Sequence, residues 1–230
     1  MSTPSLKLLS SMATRELLAE LAERSARELS QRVVAEAAGG VDIAKRVEAG
    51  EAVDIVALAA NAIDKLIGSG KLLGGSRVDL VKSGIGMATR KGGARYDVGS
   101  EEAVKAAVLN ARSISYSTGP SGTYLQQLFE RWGILGTVQN RIVVAPPGIP
   151  VGALVAKGEC ELGFQQMSEL INLDGIEVLG PLPPSIQMLT VFSGGISSNS
   201  PAPDAARRVL EFMASPGVAD VKRRFGMEPA

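Results

Sequence analysis

Apolar residues recur at two spacings along the chain, and the switching between them sets out an order of strands and helices. Leu6 to Leu9 is a short apolar run that ends at Ser10-Ser11. Leu17, Leu18, Leu21 and Ala22 then fall at helical spacing, with Glu16, Glu20, Glu23 and Arg24 on the opposite face. Gln31 to Ala35 reads as a second strand. After Gly39-Gly40 breaks the chain, Val41 to Gly50 reads as a short helix with Ile43 and Val47 inward. Asp54 to Ala59 is unbroken enough in apolar character for a strand buried on both faces. Asn61 to Ile67 is a helix closed by Gly68.

The second stretch repeats the alternation with more glycine. Ser83 to Thr89 is a strand, Glu101 to Leu109 a helix with Ser100 as N-cap, and Ser113 to Tyr116 a strand. Ser117-Thr118-Gly119-Pro120-Ser121-Gly122 is a turn opening a helix over Tyr124 to Trp132. Val151 to Lys157 is a helix, Leu162 to Gln165 a strand and Ser168 to Ile171 a helical turn. Ile176 to Leu179 is a strand stopped by Pro181, Pro183 and Pro184, and Ile186 to Phe192 returns as a strand. Pro203 to Ala214 and Val218 to Phe225 close the chain as helices. Strands alternating with helices predict an α/β fold with mixed, mostly parallel sheets flanked by helices. No internal repeat is visible.

Composition narrows the chemistry. The 24 basic and 24 acidic residues cancel and form no single-sign run, which excludes an electrostatic nucleic-acid surface. Histidine is absent and Cys160 stands alone, so a His-containing triad, a His-based zinc site, a Cys–His pair and an internal disulfide are all excluded. Cys160 lies between Glu159 and Glu161, which disfavour a thiolate, so it reads as a small buried residue. No metal and no cofactor is expected. No apolar stretch is long enough to span a bilayer. The opening Met1 to Lys7 lacks the charged-then-apolar layout of a secretion signal, which points to the cytoplasm if the chain is full length as written.

Three places suit a small anion. A strand that ends in small residues and turns into a helix aims backbone N–H groups and the positive end of the helix dipole at one point. Ser10-Ser11-Met12 follows the first strand in this way, the Gly39-Gly40-Val41 bend precedes a helix, and Ser117 to Thr123, with Thr118, Ser121 and Gly122, follows a later strand. Each has a plainer role open to it. Serines before a helix are commonly N-caps, Gly119 to Gly122 forms an ordinary turn, and Gly39-Gly40 serves backbone geometry. Taken jointly the three favour a ligand site, because α/β sheets bind ligands at the C-terminal ends of their strands.

Several segments in order resemble the molybdate-binding-protein-like family of type II periplasmic solute-binding proteins. They are Ile43-Ala-Lys-Arg-Val-Glu-Ala-Gly50 followed by Asp54-Ile-Val, Ser121-Gly122 opening a helix, Leu162-Gly-Phe-Gln-Gln-Met-Ser-Glu-Leu170, and Gly180-Pro-Leu-Pro-Pro184. Ala214-Ser-Pro-Gly217 with Phe225-Gly-Met-Glu-Pro229 completes the series. The resemblance implies two α/β lobes, residues 1–82 with 192–230 and residues 83–191, joined by two crossovers with a ligand cleft between them. It also implies a periplasmic location, a monomer, a membrane permease as partner, and a fourth ligand element at Gln165-Gln166. The chain departs from the molybdate pattern, with Gly39-Gly40-Val41 in place of a serine-rich bend and Gln166 in place of a tyrosine. Fewer hydroxyl donors suit organic acids better than molybdate or tungstate.

Two functions compete, with a third behind them. A binding protein that clamps a small anion and delivers it to a transporter needs no catalytic group. The alternative is an isomerase, since some members of this family resemble aconitate isomerases and shift a double bond by moving a proton. Without histidine the base is Glu169 first and Tyr116 second, with Arg15 holding a carboxylate if its helix presents it to the ligand. A surface or packing role is the plainer reading for each of these three, and Glu169 in particular reads as a solvated helix residue. A ligand-sensing domain of a regulator ranks last, because no helix-turn-helix segment is attached.

Overall fold

The computed structural model describes residues 4–146 and 148–230. Met1, Ser2 and Thr3, on which the reading of the chain's start partly rests, lie outside the described residues. In chain order the elements are β1 (Leu6–Ser11), α1 (Arg15–Glu28), β2 (Val33–Ala38), α2 (Gly40–Glu48), β3 (Ile55–Ala59), α3 (Ala60–Gly68) and β4 (Val78–Arg90). There follow α4 (Glu101–Asn110), β5 (Ile114–Tyr116), α5 (Pro120–Arg131), α6 (Leu135–Val138), β6 (Ile142–Val144), α7 (Val151–Lys157), β7 (Leu162–Gln166), α8 (Met167–Leu170) and β8 (Ile176–Pro181). The chain ends with β9 (Leu189–Ile196), α9 (Pro203–Ala214), α10 (Ala219–Arg224) and β10 (Glu228–Pro229). It divides into two compact units: the stretch up to Lys82 with Val191–Ala230, and Ser83–Thr190. The strands β4 and β9 each run across a boundary, so they carry the chain from one unit to the other.

In the first unit β1 lies between β2 and β3, parallel to both, while β3 pairs antiparallel with β9 and β4 pairs antiparallel with β10. Side chains of a strand alternate between faces, and both faces here are covered. Leu6 and Leu8 of β1 and Ile55 and Ala57 of β3 pack with Leu17, Leu18 and Leu21 of α1 and Val209, Leu210 and Met213 of α9. Leu9, Val56 and Leu58 face the other way, against Ile43 and Val47 of α2 and Ile63 and Leu66 of α3. The tail is fixed by a buried lysine: Lys222 of α10 donates from Nζ to the carbonyl of Ala214, the last residue of α9, at 3.2 Å.

The second unit repeats the arrangement. Strand β5 lies between β6 and β7, parallel to both, while β4 pairs antiparallel with β7 and β8. Ile85, Met87, Leu162 and Phe164 pack with α4 and α5 around Phe129. On the other face α7 sits directly on Gly163, where a β-carbon would meet Val155 Cγ2 at 2.6 Å. The two sheets are thus mixed and mostly parallel, each closing its three parallel strands with an antiparallel one.

Some elements differ from the ranges that the sequence predicts. Helix α5 begins at Pro120, four residues before Tyr124, so Ser121 and Gly122 belong to its first turn and not to a preceding loop. Strand β8 runs through Pro181, which fits a strand paired on one side only, where a missing N–H costs no ladder bond. The strand expected over Ile186 to Phe192 starts at Leu189, after a 3-10 turn over Pro184–Ile186. Among the described residues no helix is long and apolar enough to cross a membrane.

Candidate functional site

In the first unit the parallel strands β2, β1 and β3 end side by side, with Ser11 in register with Ala38 and Ser10 with both Ala37 and Ala57. Each end turns at once into helical structure. A 3-10 turn over Met12–Thr14 leads into α1, Gly39 precedes α2 and Ala59 precedes α3. None of these starts carries a side-chain cap on its backbone N–H groups. The leading N–H groups of a helix have no intrahelical acceptor, so three sets of donors are left open at one edge of one sheet.

Ser10, Ser11, Met12, Gly39 and Gly40 are all brought to this edge. Ser10 and Ser11 are buried and Met12 is half-buried. Ser11 occupies an N-cap position without capping: its Oγ lies 3.4 Å from Thr14 Oγ1, and its carbonyl accepts from that hydroxyl at 3.2 Å. A β-carbon at Gly40 would stand 3.7 Å from that of Ser11 and 3.8 Å from Leu58 Cδ2, so the two turns touch. Gly39 has an ordinary extended φ of −54° and needs no glycine for its conformation. Its constraint is Asp42, whose Oδ2 would meet a β-carbon at 2.9 Å. Asp42 was not singled out from the sequence, although an acid three residues after a helix-opening glycine is a legible signal. The Ala59-Ala60 corner was missed too, for want of any hydroxyl or glycine. Arg15 is exposed and paired with Glu16 at 3.2 Å.

In the second unit β5 and β7 are neighbours, with Ile114 against Leu162 and Ser115 against Gly163, so the turns that follow them share one edge. Gly119 is the N-cap of α5 and Pro120 its first residue. Ser121 and Gly122 hold the second and third positions, where N–H groups point out of the helix start. Both are buried, Thr118 is exposed, and Ser117 Oγ accepts from the N–H of Gly119 at 3.4 Å.

The two glutamines at the end of β7 point to opposite faces and do different work. Gln165 is buried and engaged internally, donating from Nε2 to Glu169 Oε1 at 2.7 Å and accepting from Gly152 N–H at 3.4 Å. Gln166 is equally buried and donates to Thr190 Oγ1 at 2.9 Å, while its own Oε1 has no partner. Thr190 was not anticipated, since it lies 24 residues away in sequence.

The two proton-transfer candidates are constrained. The Glu169 carboxylate holds Gln165 and is not a free solvated side chain. Tyr116 is buried against Phe129, ring centroids 6.3 Å apart, and burial raises its phenol above the ordinary range. A phenol held that firmly protonated is a poor base near neutral pH. Cys160 is buried, and burial first, then Glu159, pushes its thiol up to about 11, although Ser115 pulls the other way. Among the described residues no cluster of three or more acidic, histidine or cysteine side chains is placed to hold a metal.

Comparison with known proteins places these features. The family described as bacterial extracellular solute-binding protein matches residues 6–228. An aconitate isomerase from Pseudomonas sp is 39% identical over 188 residues, covering 81% of this chain and 71% of the relative. The periplasmic molybdate-binding protein of Azotobacter vinelandii superposes with a TM-score of 0.78 at 20% identity, over 97% of this chain and 98% of that one. The sulfate-binding protein SubI from Mycobacterium tuberculosis gives 0.77 at 13% identity, over 99% and 88%. A type II solute-binding fold, with its two α/β units and strand-to-helix corners, is what these comparisons and the coordinates share. The chain belongs to the bacterial extracellular solute-binding protein family.

Proposed function

We propose that this protein binds a small organic carboxylate at the helix starts that follow its parallel strands. The observation that carries the reading is the run of uncapped helix starts after Ser11, Gly39 and Ala59 at one sheet edge, with a matching start at Gly119 in the other unit. Such starts offer N–H donors and a positive dipole end without a lysine or arginine. Solved proteins of the same fold bind molybdate and sulfate. The Gly39-Gly40-Val41 bend and Gln166 supply fewer hydroxyls than a tetrahedral oxyanion needs on all sides, which favours a carboxylate. A membrane permease would be the receiving partner.

A second reading, favoured by the aconitate isomerase relative, is proton transfer on a bound tricarboxylate. Glu169 is then the group to test, because Tyr116 is held protonated. One experiment separates the readings. Thermal denaturation is followed with molybdate, tungstate, sulfate, citrate, and cis- and trans-aconitate, since a ligand that binds only the folded state raises the melting temperature. The carboxylates are expected to stabilise and the inorganic anions not. Absorbance of the two aconitates then reports conversion: binding without conversion sinks the isomerase, and stabilisation by molybdate alone sinks the carboxylate assignment.

A further inference from the structure

The Gln166 side chain is 3% exposed, yet only half of its amide is satisfied. Nε2 donates to Thr190 Oγ1 at 2.9 Å, and the buried Oε1 accepts nothing. Buried amide oxygens are nearly always paired, because leaving one bare forfeits its hydration with no return. An amide with no fixed neighbour would turn to relieve that loss. Here it is held. Thr190 is itself 7% exposed and stands on β9, near the point where the chain passes from the second unit to the first. Gln166 is held at its other end by β7, in register with Ile85 of β4.

We propose that Thr190 is a positioning residue that fixes the Gln166 amide with its oxygen toward the ligand, and that this oxygen selects an organic acid bearing an O–H group at that point. The inference rests on the carboxylate-binding reading and deepens it. An amide oxygen only accepts, so its missing partner must donate a hydrogen. A fully ionised tetrahedral oxyanion brings acceptors alone and would set oxygen against oxygen. A hydroxy acid, or an acid with one carboxyl still protonated, supplies the hydrogen. Turned over, the amide would keep its contact with Thr190 only with the hydroxyl as donor, and its NH2 edge would then favour a ligand acceptor, so equal affinities for the two acids compared below would mark that orientation.

Two measurements test the proposal, one of them without ligand. In the free protein, the side-chain amide signals of Gln166 are followed by nitrogen–proton NMR in the parent, Thr190→Ser and Thr190→Val. The expected pattern is slow solvent exchange in the parent and Thr190→Ser, and at least tenfold faster exchange in Thr190→Val. Exchange indifferent to Thr190→Val overturns the positioning role. In the second arm, calorimetry compares citrate with tricarballylate, which differs by one hydroxyl. Citrate is expected to bind at least tenfold more tightly to the parent and to Thr190→Ser, with the preference lost in Thr190→Val and Gln166→Leu. Equal affinities in the parent, or a preference untouched by both substitutions, overturn the selectivity. If no carboxylate of the panel binds the parent, the carboxylate-binding reading fails together with the selectivity, while the NMR arm still decides the positioning role.

Discussion

The carbonyl oxygen of Ser117 occupies the space where a side chain on residue 122 would begin, so the turn after β5 and the first turn of α5 interlock only because residue 122 is glycine. Nothing about its φ demands glycine, and the constraint is close approach alone. Ser117 carries the carbonyl at issue, and Tyr116 Cδ2 would lie 3.1 Å from the same β-carbon. Gly122→Ala must therefore push the helix start away from β5. A stability loss of about 2 kcal/mol or more is expected, as for other backbone clashes in packed sites, measured by urea denaturation. Gly119→Ala is the control, since its β-carbon would meet nothing nearer than 3.5 Å. Equal effects from the two would remove the interlock.

That corner also shows where sequence patterning stops. Helices α7 and α9 match their expected ranges because local signals end them: Gly158 closes α7 in the left-handed conformation at φ 77°, and Pro203 opens α9. The start of α5 carries the same signal in Pro120, but there it sits inside a run of small turn-forming residues. Pro-Ser-Gly reads as a turn, and the close packing of Gly122 on Ser117, which fits this helix start against β5, is a contact that the sequence does not show. Strand β6 escaped notice for a different reason, being three residues long with two exposed. At the site, the strand ends rich in serine and glycine were legible, whereas Thr190 and the Ala59-Ala60 corner were not. One is a long-range partner and the other has no side-chain chemistry to read.

Cys160 yields a reactivity prediction. Burial pushes its thiol up to about 11, so at pH 8 the side chain is the neutral thiol in the native state. Ellman's reagent is expected to leave it unlabelled in the folded protein and to label one equivalent after denaturation. Rapid labelling of native protein would mean the thiolate is accessible and the buried assignment is wrong.

Glu51 sets a pH dependence. It accepts from Arg46 Nε and Nη2 at 2.6 and 2.7 Å and from Lys7 Nζ at 2.7 Å. The bonds from Arg46, then Lys7, hold its carboxyl down to about 2 against an ordinary 4.5. A carboxyl depressed on folding contributes stability that is fully present above the unfolded value and is lost as pH falls through the folded one. The contribution therefore fades between about pH 4.5 and 2. Glu51→Gln should leave a shallower fall of melting temperature across that window than the parent shows. Screening at this solvent-exposed cluster keeps the effect small, and added salt should reduce it further.

Asp42 is the group most at odds with an anion site, and its removal gives the sharpest test of α2. It is the third residue of the helix, and its carboxylate lies against Gly39, beside the N–H groups that α2 leaves open. A negative charge there stabilises the helix through its dipole, and it repels any anion that approaches the same end. The two effects have opposite consequences when the charge is removed. Asp42→Asn should lower the melting temperature of the free protein slightly. It should also raise affinity for a bound carboxylate roughly two- to fivefold, from a dipole-end interaction of about 0.3–1 kcal/mol. Calorimetry at low ionic strength resolves a change of that size, and it should shrink as salt is added. A gain in affinity together with a loss of stability would place the ligand at the start of α2, because general loosening of the fold lowers both. Affinity that stays level or falls would mean that Gly39 and Gly40 shape the backbone only, and the site would then have to be assembled from the starts after Ser11 and Ala59.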